Sequence, residues 1–149
     1  MVGELRPPRL QWADTARAMS QENVELSHQA NEAVNRRDLG ALLELMDADV
    51  EAVPILTGME GDYHGHAGIS RWWGHLLEVF PDLATEVVEL RDFGDFTLAS
   101  MRLRGHGADS DAPVAASLWL VAQWRRGKCV QWGSYGTKQE ALEAAGLRE

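Results

Sequence analysis

The hydrophobic pattern is densest over residues 114–135. Positions 114–124 are apolar almost throughout, Arg125-Arg126-Gly127-Lys128 interrupts them, and 129–135 resume with residues that favour strands. A glycine among charged residues suits a tight reversal, so the pattern predicts a long β-hairpin at the centre of an antiparallel sheet. Side chains alternate along a strand, which puts Leu118, Leu120, Ala122 and Trp124 on one face and Ser117, Trp119, Val121 and Gln123 on the other. Each face carries a tryptophan with aliphatic neighbours, so each needs cover. Helices of the same chain can supply one cover, and a second copy of the protein the other.

Elsewhere the period lengthens. Ser20 suits a helix cap with Glu22 in the first turn, and Val24, Ser27, Asn31 and Val34 then recur at helical spacing with Ala30 beside them. That stripe is weakly apolar, as for a helix over a polar-lined cavity or for a mediocre core helix. Asn35-Arg36-Arg37-Asp38 is a break, and Asp38 suits the cap of a second helix with Leu39, Leu42, Leu43 and Met46 as its stripe, ended by Asp47-Ala48-Asp49. Residues 50–53 read as a short strand stopped by Pro54, and 55–65 as a loop or short hairpin anchored by Tyr63. A third helix from Gly68 presents Ile69, Trp72, Trp73, Leu76, Leu77 and Phe80, and Pro81-Asp82 ends it. Residues 85–90 and 96–104 are strands around a turn at 92–95, and 105–113 form a flexible connection with His106, Asp109 and Asp111. Thr137 and Glu140 make a capping box before a short helix that stops at Gly146.

Helices early and strands late predict an α+β fold. Its expected form is a cone-shaped curved antiparallel sheet, covered on its concave face by three N-terminal helices, with a short C-terminal helix. Residues 1–18 carry prolines and arginines without an apolar period, and read as a flexible arm ahead of a single domain at 19–149. Met19 would serve as a natural start.

Composition narrows the partners. A net charge of −9 argues against nucleic acid and against an anionic membrane surface, both of which want a basic face. No apolar run approaches the ~20 residues of a membrane span, and no N-terminal stretch resembles a secretion signal, so a cytoplasmic protein is expected. The single cysteine, Cys129, excludes an intramolecular disulfide and a multi-cysteine metal site, and reads as a small buried thiol. Nothing calls for a metal or another cofactor.

Several segments in order resemble the SnoaL-like group of the nuclear transport factor 2-like superfamily. They are Ser20-Gln21-Glu22-Asn23-Val24, Asn35-Arg36-Arg37-Asp38-Leu39, the run 42–51, Tyr63-His64-Gly65-His66-Ala67-Gly68-Ile69 leading into Trp72-Trp73, and the run 140–147. The resemblance implies helices and a bent sheet enclosing one pocket, and a homodimer through the outer sheet face, where Trp119 and Val121 would lie. Relatives include ketosteroid isomerase, limonene-epoxide hydrolase and SnoaL-type polyketide cyclases, so function must come from the pocket. Set against ketosteroid isomerase, the phenol position falls on Ala30, the base on Ala52 and the acid on Leu120, all apolar in this chain. The Asp-Arg-Asp group of the epoxide hydrolases has no clear counterpart, because Arg102 and Arg104 share the face opposite Met101 and Leu103.

The expected pocket is therefore greasy and aromatic, with Trp72, Trp73, Met101, Leu120, Trp124 and Trp132 on its wall and Tyr135 at its rim. Ser27 and Asn31 supply sparse polar contacts. Such a hollow, expected at roughly a few hundred Å3, suits a small hydrophobic metabolite. The alternatives are a cyclase, isomerase or hydrolase using a pocket histidine as acid-base, for which His64 is the best candidate, or a non-catalytic dimeric interaction module.

Overall fold

The computed structural model describes residues 8–54 and 63–148, with side chains from Ser20 onward. The expected loop at 55–62 and the first seven residues of the expected arm lie outside the described residues.

The central hairpin forms as its pattern requires. β5 (Pro113–Arg125) and β6 (Lys128–Tyr135) turn on Arg126 and Gly127, both at positive φ, 53° and 76°. Two successive left-handed residues match the right-handed twist of the strands, and the glycine takes the second position without a Cβ clash. Gln123 pairs with Gln131 but Trp124 pairs with Cys129, so Val130 is an extra residue in β6. This bulge keeps both Cys129 and Trp132 on the inner face of the sheet. β4 (Phe96–His106) pairs antiparallel with β5, and β3 (Ala84–Phe93) with β4.

On the other side of β6 lies β1 (Met46–Val53), and the short β2 (Tyr63–His64) pairs antiparallel with β1. β1 runs parallel to β6, so the expected all-antiparallel sheet is corrected at this one pairing. Met46 belongs to this strand and not to the preceding helix. Met46 pairs with Cys129 and Glu51 with Gln131, so the polar Asp47-Ala48-Asp49 segment bulges out of the strand and does not end it. Among the described residues the sheet has six strands in the order β2-β1-β6-β5-β4-β3.

Three helices lie against one face. α1 (Pro8–Asn35) runs straight through Ser20, so the expected cap there is absent. The sequence contains no Gly or Pro between Pro8 and Gly40, and Pro8 suits a first helical position, so no residue obliges a break. Residues 8–18, expected in the arm, thus continue α1. α2 (Leu39–Glu44) is capped as expected: Ala41 N donates to Asp38 Oδ1 at 3.0 Å. α3 (Gly65–Val79) starts three residues before the expected Gly68 and buries Ile69, Trp72, Trp73 and Leu76. Tyr63 is only 2% exposed, the anchor its sequence position implied.

The outer sheet face has its own cover. α4 (Lys138–Ala145) is capped by Thr137, whose Oγ1 accepts from Glu140 N at 3.1 Å, and closes at Gly146 in the left-handed region. Its Ala141 and Leu142 bury Leu98 and Val121, with Trp119 and Tyr135 packed at the margin. Val121 is 6% exposed in the single chain, where α4 covers it, while Trp119 stays only partly buried at the margin. No helix among the described residues is long and apolar enough to cross a membrane.

A clamp ties the end of α3 to the end of β4. His106, expected in a flexible connection, has its backbone N–H and its Nδ1 each 2.7 Å from an oxygen of Asp82. The hydrogen bond from His106 lowers the Asp82 pKa from its ordinary 3.8, and the same bond raises His106 from its ordinary 6.5. The lowered carboxylate contributes stability above its ordinary pKa and loses it as pH falls. The raised imidazole contributes stability below 6.5 and loses it as pH rises through its folded value. His106→Gln is therefore expected to lower the melting temperature most between about pH 4 and 6.5. Melting curves of both proteins across pH 3–9 check this, and an offset independent of pH would refute it. A chain beginning at Met19 is expected to melt with the full-length protein, and a clear loss would show that residues before Met19 support the domain.

Candidate functional site

Under α1, between the helices and the concave face of the sheet, lies a cavity of about 140 Å3. Strand alternation places its floor: Leu118, Leu120, Ala122 and Trp124 from β5, with Thr97, Ala99, Met101 and Leu103 from β4. The bulge at Val130 adds Cys129 and Trp132 from β6. α1 supplies Ser27, Ala30, Asn31 and Val34, and α3 supplies Trp72 and Leu76. The volume is smaller than the few hundred Å3 expected, because large side chains from both layers reach into the space.

Of the residues expected on this wall, Ser27, Asn31, Trp72, Met101, Leu120, Trp124 and Trp132 are there. Trp73 is not. It follows Trp72 by one residue, a rotation of about 100° on a helix, and is buried in the core at 8% exposure. Tyr135 is not at the rim either. With Trp132 and Ser134 turned inward, Tyr135 alternates outward, folds its ring over Gly133 and packs near α4. His64 is also outside the wall. Its Nδ1 lies 3.1 Å from Glu51 Oε1, its Nε2 lies 3.9 Å from Asp49 Oδ1, and its side chain is 61% exposed. Glu51 points outward as expected, and so do Arg102 and Arg104; Arg102 Nη1 reaches Glu86 Oε1 at 3.0 Å.

The polar side chains on the wall mostly satisfy one another. Ser27 Oγ donates to the Asn23 carbonyl at 3.0 Å, so the 3.0 Å contact between Ser27 and Thr97 takes its proton from Thr97. Thr97 Oγ1 in turn accepts from Trp124 Nε1 at 2.9 Å. Further along α1, Thr85 Oγ1 donates to Asn31 Oδ1 at 2.6 Å. Thr85 and Thr97 were not singled out from the sequence, although alternation with Val87 and with Ala99 and Met101 turns both inward. Trp72 and Trp132 meet edge to face with ring centroids 5.0 Å apart.

Among the described residues the wall carries no Asp, Glu, His, Lys, Arg or Tyr. Its one titratable side chain is Cys129, 3% exposed, whose thiol is pushed up to about 12 by burial, against a smaller opposing effect from the Gln131 backbone. Of the positions that the resemblance aligns with catalytic groups, Ala30 and Leu120 lie on the wall and Ala52 is fully buried.

Comparison with known proteins gives a consistent fold. The SnoaL-like domain matches residues 28–132. None of the curated proteins matches the chain. A nuclear transport factor 2-like protein of unknown function from Burkholderia pseudomallei superposes with a TM-score of 0.71 at 18% identity, covering 82% of this chain and 95% of that one. TerC, crystallised with polyporic acid, gives 0.70 at 21% identity over 82% of this chain and 98% of its own. IdmH, a proposed polyketide cyclase from Streptomyces antibioticus, gives 0.67 at 19% identity over 83% and 97%.

The Cys129 environment makes a direct prediction. A thiol buried and shifted to about 12 is not a thiolate at pH 8. Native protein is expected to leave a colourimetric disulfide reagent unreacted over hours, and to release one equivalent at once in denaturant. Rapid reaction of the folded protein would place the thiol in solvent.

Proposed function

The chain belongs to the SnoaL-like domain family, and from that footing we propose that it binds a small hydrophobic molecule in the cavity beneath α1 without transforming it. One observation carries the reading: the described wall holds no group that titrates near neutral pH. Aldol closure, isomerisation beside a carbonyl and epoxide opening all require a positioned acid or base. Dispersion and apolar burial require none, and three tryptophans with aliphatic neighbours supply both. The cyclase description of one structural neighbour and the ligand of another concern those proteins, and the described wall here holds no group that titrates near neutral pH through which to share such chemistry.

The test uses the native protein. Mass spectrometry under native conditions is expected to find a bound neutral species that is released on denaturation. Ala30→Phe projects a ring from α1 into the cavity and is expected to abolish uptake while the protein stays folded. Retention of the same ligand by Ala30→Phe would remove the cavity from the account. Conversion of the released molecule to a new product by wild-type protein would replace binding with catalysis.

A further inference from the structure

Resting on that binding reading, we infer that the ligand is a neutral molecule of about one ring, bearing a carbonyl-type oxygen that accepts a hydrogen bond from the Asn31 side-chain amide. Most polar hydrogens on the wall are already committed. Ser27 spends its proton on the Asn23 carbonyl, Thr97 spends its proton on Ser27, and Trp124 spends its N–H on Thr97. The Thr85 hydroxyl lies 2.6 Å from Asn31 Oδ1 and 3.2 Å from Asn35 Oδ1 and gives its proton to the nearer oxygen, Asn35 Oδ1 already accepting from Thr85 N; Cys129 leans on the Gln131 carbonyl at 3.4 Å. That contact fixes the Asn31 amide: its oxygen faces Thr85, and its NH2 has no acceptor among the described residues. The indole N–H groups of Trp72 and Trp132 have none either, but they carry almost no accessible surface, so a ligand does not reach them as the side chains stand.

The uncommitted donor open to the cavity is therefore the Asn31 amide, while the hydroxyls of Ser27, Thr85 and Thr97 have given their protons away. An unpartnered amide donor on an otherwise apolar wall favours a ligand that brings it an acceptor. A ligand that presents a ketone, aldehyde or quinone oxygen meets that need, whereas a pure hydrocarbon leaves it unmet. Asn31 is half-buried on the wall, so it is the donor a ligand reaches as the helix stands. Charge is disfavoured because the described wall offers no counter-ion. Size follows from volume. At about 140 Å3 the space is close to cavities that take up benzene, of about 150 Å3. It falls below the roughly 300–1,000 Å3 of sites for drug-sized ligands.

The experiment compares two molecules of nearly one shape, acetophenone and α-methylstyrene, which differ by a carbonyl oxygen in place of a methylene. In calorimetric titration the wild type is expected to bind acetophenone about fivefold tighter, the scale of one hydrogen bond. Asn31→Asp keeps an acceptor for Thr85 but loses both amide hydrogens, and is expected to abolish or invert the preference. Asn31→Leu is expected to bring the two affinities together without weakening α-methylstyrene. If Asn31→Leu does not fold, the Asp variant decides. Equal binding of both molecules by the wild type overturns the acceptor inference and leaves the cavity reading standing. An unchanged preference in the folded Asp variant overturns the role of Asn31. Binding of benzyltrimethylammonium or 2-acetonaphthone as tight as that of acetophenone overturns the neutral, one-ring class. If neither of the paired molecules binds, the cavity reading falls as well.

Discussion

The cavity exists because α1 is fastened to the sheet by polar clasps at two places and by small apolar residues between them. At one place Asn23 donates to the Gly94 carbonyl at 3.1 Å, and Ser27, Thr97 and Trp124 form a closed chain of hydrogen bonds. At the other, Asn35 exchanges two 2.8 Å hydrogen bonds with the Thr85 backbone while Asn31 receives the Thr85 hydroxyl. Hydrogen bonds are strict about distance, so the clasps set the gap between helix and sheet. Ala30 and Val34 lie on the cavity wall between them and are too small to close it. The weak apolar stripe of this helix is thus a consequence of its job. Its polar positions hold the roof up, and its short positions leave the room.

The same strand that floors the cavity carries the second packing layer. Leu120 and Ala122 face inward, while Trp119 and Val121 face α4. A strand buried on both sides ties the two layers together, since a one-residue slip would exchange the cavity floor with the α4 seat. The register is held from both ends. The two-residue turn at Arg126-Gly127 sets the start of β6, and the bulge at Val130 resets its phase so that Cys129 and Trp132 both face in.

Much of this was legible in local pattern. The hairpin, its two faces, the Asp38 and Thr137 caps and the buried stripe of α3 all follow from periods and side-chain chemistry that act over a few residues. What escaped were relations between distant segments. Parallel pairing of β1 with β6 joins residues about eighty positions apart and has no local signature. The apolar outer face of the hairpin announced a need for cover, but its sequence does not show that α4, later in the same chain, seats on Leu98 and Val121. Trp73 and Tyr135 were misplaced for a different reason. Adjacent tryptophans cannot share one helix face, and strand alternation from Trp132 already turns Tyr135 outward, so the periodicity held the answer and the pull of an aromatic wall overrode it. Thr97 shows the converse: a residue of unremarkable type becomes the junction of helix and sheet only through its inward register.

The medium inside the wall explains why apolar residues at Ala30, Ala52 and Leu120 matter together. Burial alone drives the Cys129 thiol to about 12, which measures how strongly this interior resists a negative charge. A single carboxylate placed there would meet the same resistance and rise toward its neutral form, becoming a donor and not a base. Acid-base work therefore needs a set of groups that stabilise one another, with dipoles or partners supplied at the same time. The described wall lacks every member of that set, and what it offers a guest is uncharged: apolar surface and the Asn31 amide. What such a cavity selects is decided by where its few spare protons point and by the width of one ring.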